Sequence, residues 1–189
     1  MKIRLNNKKF EIPTAENLTV GQYIELSKFD KLNVANYLAV VTGRRVLEIA
    51  TLKMKDKNLR RLLNYIGNIS DFKELQNLGK SAKTFIFDNK VYTKSFDWQT
   101  VGVRLMLEKK AEQTNEVLEL ATYLLAILIS KNFDADKIEK NYIKLLEYSY
   151  IDILPFAIFF FKKLNRGYSK ELPLLQRLRK IIRMRIQMK

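Results

Sequence analysis

Leu18-Thr19-Val20-Gly21-Gln22-Tyr23-Ile24-Glu25-Leu26 sets a threonine three residues before a glutamine, at the head of an apolar-periodic run. In that spacing the threonine hydroxyl accepts from the backbone N–H at Gln22, and the glutamine side chain reaches back to the N–H of Thr19. A helix is expected from about Val20 to Lys28. Working upstream, residues 1–12 read as a β-hairpin folded about Asn7-Lys8. Leu5 then faces Phe10, Ile3 faces Ile12, and Arg4 meets Glu11 on the other face. Pro13 ends the second strand because it has no N–H for a ladder.

Working downstream, a second helix is expected over about Asn33 to Thr42. It stops at Gly43, where glycine takes the left-handed conformation cheaply. Val46 to about Leu52 suggests a short helix. Asp56 reads as the N-cap of another, carrying Leu59, Leu62, Leu63 and Ile66 and closed by Gly67. Residues 68–83 are mixed and polar and mark the best internal boundary.

After that boundary the pattern starts again. Residues 85–92 fold about Asn89-Lys90, with Phe87 opposite Tyr92, and Asn89-Lys90 stands 82 residues after Asn7-Lys8. Thr100-Val101-Gly102 follows Thr19-Val20-Gly21 by 81, Tyr123-Leu124 follows Tyr37-Leu38 by 86, and Leu145-Leu146-Glu147-Tyr148 follows Leu62-Leu63-Asn64-Tyr65 by 83. A duplicated hairpin-plus-helices unit produces this order. The alternative is two unrelated stretches sharing turn and cap chemistry. The copies differ, because Val103 stands where Gln22 completes the capping box. The expected fold is α+β and mostly α-helical, with units at 1–80 and 81–167 and a basic C-terminal helix at 168–189.

The second unit is the more apolar. Residues 117–129 are hydrophobic nearly all round, as in a helix buried at the centre of a fold. Asp152 is placed to cap a helix with Pro155 in its first turn, where proline is tolerated, ending near Gly167. Its phenylalanines, with Phe156, Phe159 and Phe160 as the candidate docking residues, read first as core and second as an exposed face for a partner. Trp98 beside Phe96 reads as core.

Composition narrows the chemistry. The 189 residues include no Cys and no His, which removes disulfides, thiolate catalysis and every His-dependent nucleophile system. Asp134-Ala135-Asp136 near Glu139 lacks an EF-hand pattern, and Asp134 reads more simply as a helix cap. No phosphate-binding glycine loop is present. Catalytic residues, metal ligands and cofactors are therefore all expected to be none. No apolar run reaches the ~20 residues that cross a bilayer, and a soluble protein is expected.

Lys and Arg total 35 against 20 Asp and Glu, a net charge of +15. Residues 162–189 hold ten basic residues and one acid, and so carry +9. Lys162, Lys163, Arg166, Lys170, Arg177, Arg179, Lys180, Arg183 and Arg185 are the candidate contacts there. A final helix beginning between Ser169 and Pro173, with Leu175, Leu178 and Ile182 on its apolar stripe, is expected to present those from Arg177 onward. Three roles compete: a solvated face, contact with nucleic-acid phosphate, or docking on an acidic protein or lipid surface.

Residues 18–26, followed by Val41-Thr42-Gly43, resemble a stretch found in small proteins of tailed-bacteriophage structural modules, with crAss-like phages the closest in flavour. The resemblance covers about residues 1–165 and carries no catalytic signature. It implies a non-enzymatic virion protein made in the host cytoplasm, either a tail-associated structural component or cargo in the virion interior. Its partners would be other virion proteins of the tail or portal region, with DNA as a further candidate. A homo-oligomer is compatible with this reading. A tail-assembly chaperone and a basic nucleic-acid-binding protein are the alternatives.

Overall fold

The computed structural model describes residues 2–5, 8–29, 31–95 and 101–167, with backbone alone for 4, 5, 8, 72 and 165–167. The expected C-terminal helix, Phe96 and Trp98 lie outside the described residues.

The chain opens with β1 (Lys2–Leu5) and β2 (Lys8–Glu11) and a short 3-10 turn over Ala15–Asn17. Five helices follow: α1 (Val20–Ser27), α2 (Val34–Thr42), α3 (Val46–Ala50), α4 (Asp56–Gly67) and α5 (Phe72–Ser81). A second hairpin, β3 (Thr84–Phe87) and β4 (Lys90–Thr93), precedes α6 (Val101–Ala111), α7 (Val117–Ser130), α8 (Ala135–Glu147) and α9 (Tyr150–Gly167). This is an α+β fold, mostly helical, with two antiparallel two-stranded sheets. The order of hairpin then helices occurs twice. Of the matched positions, Tyr37, Leu38, Leu62, Tyr123, Leu124 and Leu145 are all buried, whereas Val20 is buried and its counterpart Val101 is exposed.

Local chemistry accounts for most element ends. Thr19 and Gln22 form the reciprocal capping box, at 3.2 and 3.1 Å. Asn33 caps α2, and Gly43 ends it at φ 67°. The N–H of Gly43 then donates to Val40 and that of Arg44 to Ala39, a double closure that turns the chain sharply outward.

Four expectations need correction. Both hairpins pair two residues out of the expected register. Ile3 faces Phe10 and Lys2 faces Glu11, while Phe85 faces Tyr92 and Phe87 faces Lys90. The second turn is therefore Asp88-Asn89, both left-handed at φ 51° and 58°. A type I′ hairpin turn needs positive φ at both central residues, which Asp and Asn tolerate better than Lys. Second, Asp56 lies in the first turn of α4, with Lys55 at the N-cap and Asn68 after Gly67. Third, the polar stretch expected as a boundary contains α5, capped by Asp71 accepting from the N–H of Glu74 at 2.8 Å.

Fourth, α9 starts at Tyr150, so Pro155 lies inside it and Asp152 is a first-turn residue. A long-range bridge sets that start. The N–H of Val20 donates to Tyr148 at 2.8 Å and that of Tyr150 to Leu18 at 3.0 Å, which joins the heads of α1 and α9. Tyr23 and Tyr150 stack at 4.5 Å beside this bridge. Ser70 serves both phenols: its carbonyl accepts from Tyr23 at 2.8 Å and its N–H donates to Tyr150 at 3.2 Å.

One core runs through both units, with α7 at its centre between α6, α8 and α9. Every α7 residue is buried except Glu119. Its two buried polar side chains, Thr122 and Ser130, donate to carbonyls one turn back at 2.7 and 2.8 Å, which removes the cost of burying a bare hydroxyl.

Candidate interaction surface

The sequence-nominated residues separate by environment. On α9, Lys163 is exposed, Lys162 is half-buried, and Arg166 continues the helix. Lys170, Arg177, Arg179, Lys180, Arg183 and Arg185 lie outside the described residues. Phe156 and Phe160 are 2% and 0% exposed, which makes them core rather than docking residues. Phe156 meets Phe85 of β3 at 4.7 Å. Phe159 is half-buried, packed edge-on to Phe160 at 5.3 Å and covered by the Lys94 ammonium at 4.3 Å. Desolvation there lowers the Lys94 pKa. These rings hold α9 against the second hairpin.

Asp134 is a cap, accepting from the N–H groups of Asp136 and Lys137 at 3.0 and 3.2 Å. Among the described residues no group of three or more acidic side chains converges as metal ligands would. Nor is any described helix long and apolar enough to cross a membrane.

One partly exposed ionic cluster joins α7 to the end of α1. Lys28 of α1 lies 2.6 Å from Glu25 and 3.1 Å from Glu119 of α7. Burial alone would raise the Glu119 pKa, but hydrogen bonds from Thr114 and Lys28 and the charges of Lys28 and Lys110 outweigh it, so it falls. The Lys110 ammonium sits over the rings of Tyr123 and Tyr142, at 5.0 and 4.7 Å. These contacts tie α1, α6, α7 and α8 together.

A second basic cluster, which sequence reading passed over, lies on the described surface. Residues 44–61 hold Arg44, Arg45, Lys53, Lys55, Lys57, Arg60 and Arg61 against Glu48 and Asp56, a net +5. With +9 at 162–189, the other 143 residues share only +1. All nine charged residues of the 44–61 stretch are exposed. Arg45, Lys55, Lys57, Arg60 and Arg61 form no ion pair among the described residues. Interleaved with them are large apolar side chains that stay in solvent: Leu47 at 81% and Leu63 at 53%, with Val46 and Leu59 less so. α4 buries Leu62 and turns its cations outward. A charge sum over short windows would have found this cluster, whereas averaging it with the rest of the chain dilutes it.

Beside the cluster, α1, the end of α2 and the start of α3 enclose a shallow open groove of about 510 Å3. Phe29, Ala39, Val40 and Val46 give it an apolar lining, and Arg44 and Arg45 stand at its rim. The outward turn after Gly43 places both arginines there, and the Arg44 guanidinium lies over the Phe10 ring at 5.0 Å.

No family model, curated protein or solved structure matches the chain.

Proposed function

We propose that this chain is a non-enzymatic virion protein of a tailed bacteriophage, a tail-associated structural or cargo protein that works by binding other virion proteins. The observation that carries a binding role is the concentration of nearly all the net charge into two short stretches. One of these lies on the described surface among exposed leucines. A solvated face made only for solubility would spread its cations and hide its leucines. Cations interleaved with exposed apolar side chains suit anionic partner surfaces. The phage context rests on the resemblance carried by residues 18–26 and 41–43. In a virion, acidic faces of portal or tail proteins and packaged DNA are the anionic surfaces within reach.

Mass spectrometry of purified, nuclease-treated virions tests this reading, with the copy number of the chain measured against the portal. A fixed ratio is expected. Absence from virions despite abundance in infected cells would replace the proposal with an assembly chaperone. If the terminal cluster met phosphate instead, log K for duplex DNA would fall against log salt with a slope of roughly −8.

A further inference from the structure

We infer that the groove between α1, α2 and α3 is a docking site for an amphipathic, acidic segment of another protein, with Arg44 and Arg45 as its carboxylate anchors. The inference deepens the binding role proposed above and rests on it. Three observations carry it. The groove lining is apolar, so filling it with water leaves Phe29, Val40 and Val46 solvated, whereas large apolar side chains would desolvate them. The rim is cationic and unmatched, since Arg45 has no ion pair and Arg44 has only the Phe10 ring among the described residues. Of the other polar side chains along the groove, Glu25 is taken up by Lys28 at 2.6 Å and Gln22 by the N–H of Thr19 at 3.1 Å. What is left to recognise is an apolar side chain next to a carboxylate.

That combination selects protein over nucleic acid. A duplex backbone would satisfy the arginines but has nothing to place on the apolar lining. A helix with leucines at every third or fourth position and acids on its flanks satisfies both. Guanidinium groups bind carboxylates through two parallel hydrogen bonds, which fixes the register of such a segment as well as holding it. Leu47, beside Val46 and 81% exposed, extends the apolar strip beyond the groove.

The test uses the full-length protein and fluorescence anisotropy. The probe is a labelled synthetic helical peptide with leucine at every third or fourth position and glutamate on both flanks. The wild type should bind it, and R44E/R45E should weaken binding by about tenfold or more. Val46→Ser should weaken it without changing the salt dependence. Lys90→Glu, on exposed β4 and outside both the groove lining and the 44–61 cluster, should change it little. R44Q/R45Q should also weaken binding, and its unchanged melting curve would show that the loss comes from the charges and not from a disturbed fold. Peptide binding that ignores the arginine pair, a failure to bind peptide at all, or tighter binding of a DNA duplex to the same arginines would each overturn the assignment. A failed groove in a protein still found in virions leaves the virion reading standing. Groove binding by a protein absent from virions does the reverse.

Discussion

Replacing Gly79 by alanine would set a methyl group against the backbone of the facing helix. A Cβ at that position lies 2.8 Å from the Pro155 carbonyl carbon and 3.3 Å from its Cα, with the carbonyl oxygen nearer still. Carbon atoms pack at about 3.5–4.0 Å, so α5 and α9 would have to separate by roughly 1 Å. No rotamer change relieves a contact between a Cβ and a backbone. The strain is therefore at the upper end of the overpacking range, about 3 kcal/mol. Alanine returns about 1 kcal/mol as the better helix former, which leaves a net loss of about 2 kcal/mol. For a chain of this size that lowers Tm by roughly 4–8 °C. Gly67 is the internal control: it is helical, and nothing lies within 4 Å of a Cβ built there. Gly67→Ala should therefore raise Tm by roughly 2–4 °C. Thermal melts followed by circular dichroism, with urea titrations alongside, measure both. A Gly79→Ala protein melting at or above the wild type would refute the close-approach argument.

Thr19→Ala removes the hydroxyl half of the capping box, leaving the Thr19 N–H to donate to Gln22, and should cost about 1 kcal/mol in urea unfolding, while Thr19→Ser keeps most of it. The pKa of Glu119 is lowered in the folded state, so its contribution is full above the ordinary value of 4.5 and lost as pH falls below it. Glu119→Gln should flatten the acid limb of a stability–pH curve. Tyr37 and Tyr142 are pushed up to about 12, mainly by burial, from 10.0. Their contribution is full below pH 10 and lost as pH rises towards 12, so the protein should weaken in alkali. Tyr37→Phe should shrink that loss, and should also cost about 1 kcal/mol near neutrality by freeing the Pro13 carbonyl. An alkaline limb of unchanged slope in Tyr37→Phe would contradict the burial of that phenol.

Much of the fold was legible because its signals are local. The Thr19–Gln22 box, the Gly43 stop and the all-round apolarity of residues 117–129 each name their element without outside help. The errors arose where several local readings were open. Asn89-Lys90 and Asp88-Asn89 are both plausible turns until positive φ at both positions is required. Asp71-Phe72-Lys73-Glu74 has the form of a helix start, yet among the α5 residues whose burial is described only Leu75 and Gly79 are buried, so the helix looks like polar linker in sequence. The 44–61 cluster was visible in the sequence and escaped only because its charge was averaged over a long span.

Neighbours along the chain fix the turns, the caps, the helical periodicity and the places where charge accumulates. These depend on atoms a few residues apart, whose geometry is the same in any fold. Packing between distant segments turns Phe156 and Phe160 inward, starts α9 at Tyr150 and brings Gly79 against Pro155. It also forms the groove beneath Arg44 and Arg45. Each of these depends on surfaces far apart in sequence, and burial belongs to a pair of faces rather than to either face alone.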